Sequence, residues 1–167
     1  MFGRSQYPHY LRNEAGKRPT SAAELADGRW LATWPESLAI VSADGAREEY
    51  DWAEFEYGRW DEETSELSLA LTRRGRGEPI VLVLADGSDP SVVTMVHERI
   101  ERSIVHQLVW DLPSGRVARG QVRRRRNEEL FTEILSVPAH TEADRASLAQ
   151  LEVELREAVG LPLKKNS

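Results

Sequence analysis

The chain has 167 residues, 40% of them apolar and 30% charged, and a formal net charge of -6. That composition suits one soluble folded domain, and its negative field opposes a general role in coating nucleic acid or an anionic membrane. With no cysteine, disulfides, thiolate nucleophiles and cysteine-bearing metal centres are excluded.

Residues 1–24 are polar and irregular with scattered glycine and proline, and they read as a flexible N-terminal arm in which Tyr7, Tyr10 and Leu11 are the docking residues. A single α+β domain is expected over 25–163. The opening stretch has no apolar leader core or small-residue cleavage site, and no run approaches the roughly 18 apolar residues of a spanning helix. A cytoplasmic protein with no membrane span is therefore expected.

From Gly28 onward short strands alternate with turns: RWLATW, SLAIVS, a turn at 42–45, then REEY. Period-two alternation puts Trp30, Ala32 and Trp34 on one face, expected to point inward. The tryptophans at 30, 34, 52 and 60 are expected to fill the sheet interior against the helix that follows. In the next hairpin Phe55, Tyr57 and Arg59 alternate with Glu56, Gly58 and Trp60. IVLVLA, between Pro79 and Asp86-Gly87, is the most apolar strand and is expected centrally. Asp89-Pro90 supplies a helix start, and Val93, Val96, Ile100, Ile104 and Leu108 form one apolar stripe that carries this helix to about residue 109.

An extended stretch at Val109–Leu112 follows, then a Pro-Ser-Gly turn, an arginine-rich strand from about Arg116 to Arg125, and LFTEILSV as its partner. Thr141 with Asp144 opens a second amphipathic helix along Leu148, Leu151, Leu155 and Val159, with Gly160 as the C′ residue and Pro162 as the stop. The fold class is α+β: a mainly antiparallel, partly closed sheet, a long helix after the sixth strand and a C-terminal helix.

The runs GRWLATWPESLAI, Trp52 to Asp61 and HERIERSIVHQLVWDLPSGRVARGQVRRRR together resemble a family of small, uncharacterised actinobacterial proteins over most of residues 28–160. The front half resembles bacterial pleckstrin-homology-like modules in strand order. The resemblance implies a fold and brings no activity or site residues with it. Gln107-Leu108-Val109-Trp110 and the four-arginine run depart from the family pattern.

The candidate anion or partner site is Arg116, Arg119, Arg123, Arg124, Arg125 and Arg126. In a strand, Arg123 and Arg125 would face away from Arg124 and Arg126, and Glu128, Glu129 and Glu133 after the turn would oppose them, so charge pairing accounts for the run without a ligand. The rival reading gathers these arginines with Arg73, Arg74 and Arg76 into a phosphate-binding surface. Residues 36–66 hold eleven Asp and Glu against two Arg, a charge split that suits self-association or docking to a charged partner and equally a solvated sheet edge. His97 and His106, read as one helix, fall on opposite sides of it, and HERIE has Glu101 where a zinc helix needs a second histidine, so no metal is expected. Asp51, Asp61, Glu62 and Glu63 are ordinary surface acids in this reading, and no nucleophile elbow or phosphate loop is present, so neither catalysis nor a cofactor is expected. The chain is expected to be a non-catalytic interaction module that binds a protein partner or a second copy of itself. Anion or RNA binding through the arginine-rich strand is the alternative.

Overall fold

The computed structural model describes residues 7–72, 78–135 and 141–163. It is mixed α+β, with three open antiparallel sheets and two α-helices. The chain divides into two compact units, residues 1–101 and 102–167.

The first unit is a meander. Strands β1 (Ser21–Glu24), β2 (Trp30–Thr33), β3 (Ser37–Val41) and β4 (Arg47–Asp51) pair in chain order. Tight turns join them, and at the β3–β4 turn Gly45 takes φ +88°, a backbone setting that costs glycine nothing. The Asp51 and Glu54 carboxylates then cap a short 3-10 turn, Trp52–Glu54, that leads to a second sheet of β5 (Phe55–Asp61), β6 (Glu66–Leu71) and β7 (Ile80–Val83). A single bridge, Leu25 to Leu84, ties the ends of β1 and β7 without closing a barrel. The sheet expected to be partly closed is thus two open sheets here and a third in the other unit. The bridge at the corner is too short a ladder to close the two sheets into a barrel.

Helix α1 (Ser91–Arg102) starts where the Asp89 carboxylate accepts the Ser91 N–H at 2.9 Å. It buries Val92, Val93, Val96 and Ile100. These join Leu31, Leu38 and Ile40 of the first sheet and Phe55, Leu67, Leu69 and Leu82 of the second in the main core, with Trp52 inside and Trp60 packed against it. The first sheet also buries its opposite face. There Ala22, Ala32, Trp34, Ala39 and Val41 are covered by Leu11, Tyr7 and Tyr10, and the Trp34 indole N–H donates to the Lys17 carbonyl at 3.1 Å. Trp30 and Trp34 therefore face this second cluster, while Leu31 points toward the helix. A strand covered on both sides has no polar face for alternation to reveal.

Further sequence expectations change: IVLVLA, expected centrally, supplies β7 at the edge of its sheet, because Val81 and Val83 face outward. The sequence predicts an arm over 1–24, whose described part instead includes the buried Leu11 and β1. That extra strand makes α1 follow the seventh strand, not the sixth. The predicted helix to residue 109 stops at Arg102, and Ile104 and Leu108 lie in β8 (Ile104–Asp111). A spacing of four keeps residues on one side of a helix and also of a strand, so the stripe could not separate the two, and the β-branched Ile104, Val105 and Val109 favour the strand. His97 and His106 accordingly do not share a helix.

The second unit pairs β8 with β9 (Val117–Arg124) and β9 with β10 (Leu130–Leu135). Helix α2 (Glu142–Ala158) covers one face, burying Leu151 and Leu155 against Ala118 and Val122. Thr141 caps its start, accepting the Asp144 N–H at 2.9 Å. Gly160 (φ +72°) ends it with two closing bonds, Gly160 N–H to the Glu157 carbonyl and Leu161 N–H to the Arg156 carbonyl. Gly120 is where helix meets sheet most closely: a Cβ there would sit 2.6 Å from Leu155 Cδ1 and 3.2 Å from Leu151 Cγ.

Candidate functional site

The arginines of the candidate site do not converge. Arg116 lies at the β8–β9 turn and Arg124 at the far end of β9, about 27 Å apart at strand rise. Arg123 is fully buried and gives its Nε and Nη2 hydrogens to the Ser103 hydroxyl at 3.1 and 2.6 Å. Arg124 N–H also donates to the Ser103 carbonyl, so this end of β9 is fastened to the residue just before β8. Arg119 shares the Arg123 face but is exposed.

Alternation runs only to Arg124. Arg125 and Arg126 sit in the turn closed by the Arg125 N–H to Glu129 carbonyl bond. Arg125 lies 4.2 Å over the Phe131 ring and 4.0 Å from the Glu129 carboxylate, and Arg124 pairs with Glu128 at 3.4 Å. Arg126 is exposed. Arg73, Arg74 and Arg76 lie outside the described residues.

Arg116 faces a different task. Asp144, at the start of α2, is fully buried and accepts the Ser114 N–H at 3.0 Å. Hydrogen bonds from Ser114, then from Thr141, together with the Arg116 charge, hold this carboxyl below the ordinary range against the opposing effect of desolvation. The β8–β9 turn is thereby tied to the helix start.

The other titratable candidates have local roles. Asp51 caps the 3-10 turn and Asp61 accepts the Glu63 and Thr64 N–H groups in the β5–β6 turn. His97 Nε2–H donates to the Gly58 carbonyl at 2.9 Å, pinning α1 to β5. Among the described residues no cluster of three His, Asp or Glu could hold a metal ion, and His140 lies outside them. No described helix is long and apolar enough to cross a membrane.

Sequence reasoning missed the outer face of the second sheet. A bulge between Phe55 and Tyr57 changes the phase of β5, so Phe55 is buried with Trp60 against the core while Tyr57 and Arg59 turn outward. Tyr57 is 44% exposed, Val81 51% and Val83 37%. Tyr57, Arg59, Ser68, Glu78, Pro79 and Val81 line an open concavity of about 440 Å³, with the Arg59 guanidinium 5.9 Å from the Tyr57 ring. The readable signal was parity: Phe55 and Trp60 cannot both face inward on an unbroken strand.

A smaller cleft of about 240 Å³ lies between β1, β2 and the loop before α1. Tyr7 and Trp30 meet edge to face at 6.3 Å there, beside Glu24, Asp86 and Asp89. Ser88 Oγ–H and the Ala85 N–H both donate to the Glu24 carbonyl, fixing the loop to β1. No family model, curated protein or solved structure gives a significant match to the chain.

Proposed function

We propose that the chain is a non-catalytic interaction module that docks a protein partner on the outer face of β5–β6–β7. The observation that carries this reading is the grouping of exposed Tyr57, Val81 and Val83 on one face, around a concavity in which Arg59 stands over the Tyr57 ring. Exposed apolar groups gathered on a rigid sheet mark partner surfaces, and tyrosine and arginine are the side chains that anchor them. A partner residue entering between Tyr57 and Val81 would bury apolar area, with Ser68, Glu78 and Arg59 as a polar rim.

A pleckstrin-homology-like identity for the first unit is part of the proposal. Its support is strand order: four strands, then three, then a helix. That is an analogy of architecture and assigns no ligand.

The test is affinity capture from native lysate with the full chain, Y57S/V81S and R124A/R126A. Loss of a truncated anchor costs about 2 kcal/mol or more at such a surface, roughly thirtyfold in affinity. The captured partner should be lost with Y57S/V81S and retained with R124A/R126A. RNA binding that weakens with salt, and whose salt slope falls in the arginine variant, would overturn the reading in favour of phosphate recognition.

A further inference from the structure

The edges of the three sheets are not alike. The β1 and β7 ends are joined by the Leu25–Leu84 bridge and by Ala26 N–H to the Val83 carbonyl. The β5 edge gives its Gly58 carbonyl to His97. Edge strand β4 carries exposed Glu48 and Glu49, so a second β4 laid antiparallel would set carboxylate against carboxylate. Strand β10 carries the buried Glu133. Charges of this kind are how natural sheets discourage pairing with another chain.

Strand β8 is guarded only at its ends, by a bulge between Ile104 and His106 and by the exposed Asp111. It is eight residues long, reads IVHQLVWD, and places Val105, Gln107, Val109 and Asp111 on an exposed face. Val109 and the neighbouring Val117 of β9 are each 55% exposed. The Leu112 N–H to Arg116 carbonyl bond sets the phase of the β8–β9 ladder, so Leu108 and Trp110 bond inward to β9 while the main-chain groups of Gln107, Val109 and Asp111 point away from it. Among the described residues none of these outward groups meets a main-chain partner.

We propose that β8 pairs antiparallel with β8 of a second copy of this chain, about a two-fold axis through Leu108, to give a continuous six-stranded sheet. In that register Gln107 faces Val109 of the second copy, and Val105, at the bulge, lies outside the regular pairing. The two Asp111 carboxylates fall at opposite ends, about 20 Å apart, so the pairing meets no like-charge contact. The two Gln107–Val109 pairs alone supply four main-chain hydrogen bonds. An isologous contact of this kind closes on itself and stops at a dimer. A single strand pair falls short of the roughly 1,200 Å² of a standard interface, which sets the association in the micromolar range or weaker. The interface uses none of the residues of the Tyr57 face and does not depend on that face binding a partner.

Sedimentation velocity on the full chain from about 1 to 500 µM tests the pairing. The wild type should move from monomer toward dimer with rising concentration, and hydrogen exchange at the Val109 amide should slow several-fold over the same range. V109K introduces a charge on an exposed position and should weaken association at least about tenfold, with an unchanged circular dichroism spectrum. V109P is a second probe, because the N–H it removes points away from β9, and it should also leave a monomer. A wild type that stays monomeric throughout with a fast-exchanging Val109 amide overturns the pairing and leaves this edge to another protein's strand. A dimer that persists in both variants overturns it as well.

Discussion

The two compact units bury their sheets in different ways. In residues 1–101 strands β1–β3 of the first sheet bury apolar side chains on both faces, one against α1 and the second sheet and the other against Leu11, Tyr7 and Tyr10. In residues 102–167 the sheet has one apolar face under α2, while the opposite face holds a cross-strand row of Gln107, Gln121 and Glu133 with the buried Arg123 beside it. Gln121 Nε2–H donates to Gln107 Oε1 at 2.7 Å. Apolar packing tolerates exchange of similar shapes, whereas buried polar groups such as Gln121, Arg123 and Glu133 demand particular partners. The second unit should therefore be the more sensitive to single polar changes.

Four experiments sharpen that contrast, and the largest effect belongs to the first unit. Phe55 is fully buried between Tyr50 and Trp52, and F55A should cost about 3–5 kcal/mol in urea unfolding, since a large apolar side chain leaves a cavity. Next come two adjacent arginines. R123A removes a buried cation from its Ser103 contacts and should cost about 3 kcal/mol, while R124A removes a solvated pair and should change stability by less than about 0.5 kcal/mol. Equal costs for the two would erase the distinction between buried and exposed members of the run.

Gly120 offers a smaller effect in the second unit. G120A pushes a methyl group against Leu155 and Leu151, and an expected loss of about 2 kcal/mol would show up in the same unfolding assay. The last concerns pH. Asp144 binds its proton less readily in the folded chain than in the unfolded one, so its stabilising contribution is complete above the unfolded value near 3.9 and is lost as pH falls through the depressed folded value. Stability curves against pH should show this acid loss in the wild type and lack that component in D144N, which should be less stable at neutral pH.

Much of the architecture was legible where the chain marks its own boundaries. The β9–β10 pairing followed from opposed runs around a turn, and α2 from Thr141, its apolar stripe and Gly160. The end of α1 was not legible, because Ile104 and Leu108 continue its spacing while belonging to a strand. Nor was β1, whose Ser21-Ala-Ala-Glu24 run is too short and small to announce a strand. It forms because β2 offers a partner and Leu11 covers one side.

The candidate site divides in the same way. Sequence located the arginines and the acids that accompany them, Glu128 and Glu129. It could not rank adjacent arginines by burial, because which member of a run falls inside depends on register. The Tyr57 face was hidden by the bulge, which reverses the side of every later residue in β5.

Side-chain footprinting by mass spectrometry, comparing the purified chain with the chain in native lysate, tests the proposed docking face most directly. Oxidative labelling of Tyr57 and Val81 should fall several-fold in lysate, while dicarbonyl modification of Arg119, Arg124 and Arg126 stays the same. Unchanged labelling at Tyr57 together with protection of those arginines would contradict the assignment and place the contact on the cationic strand.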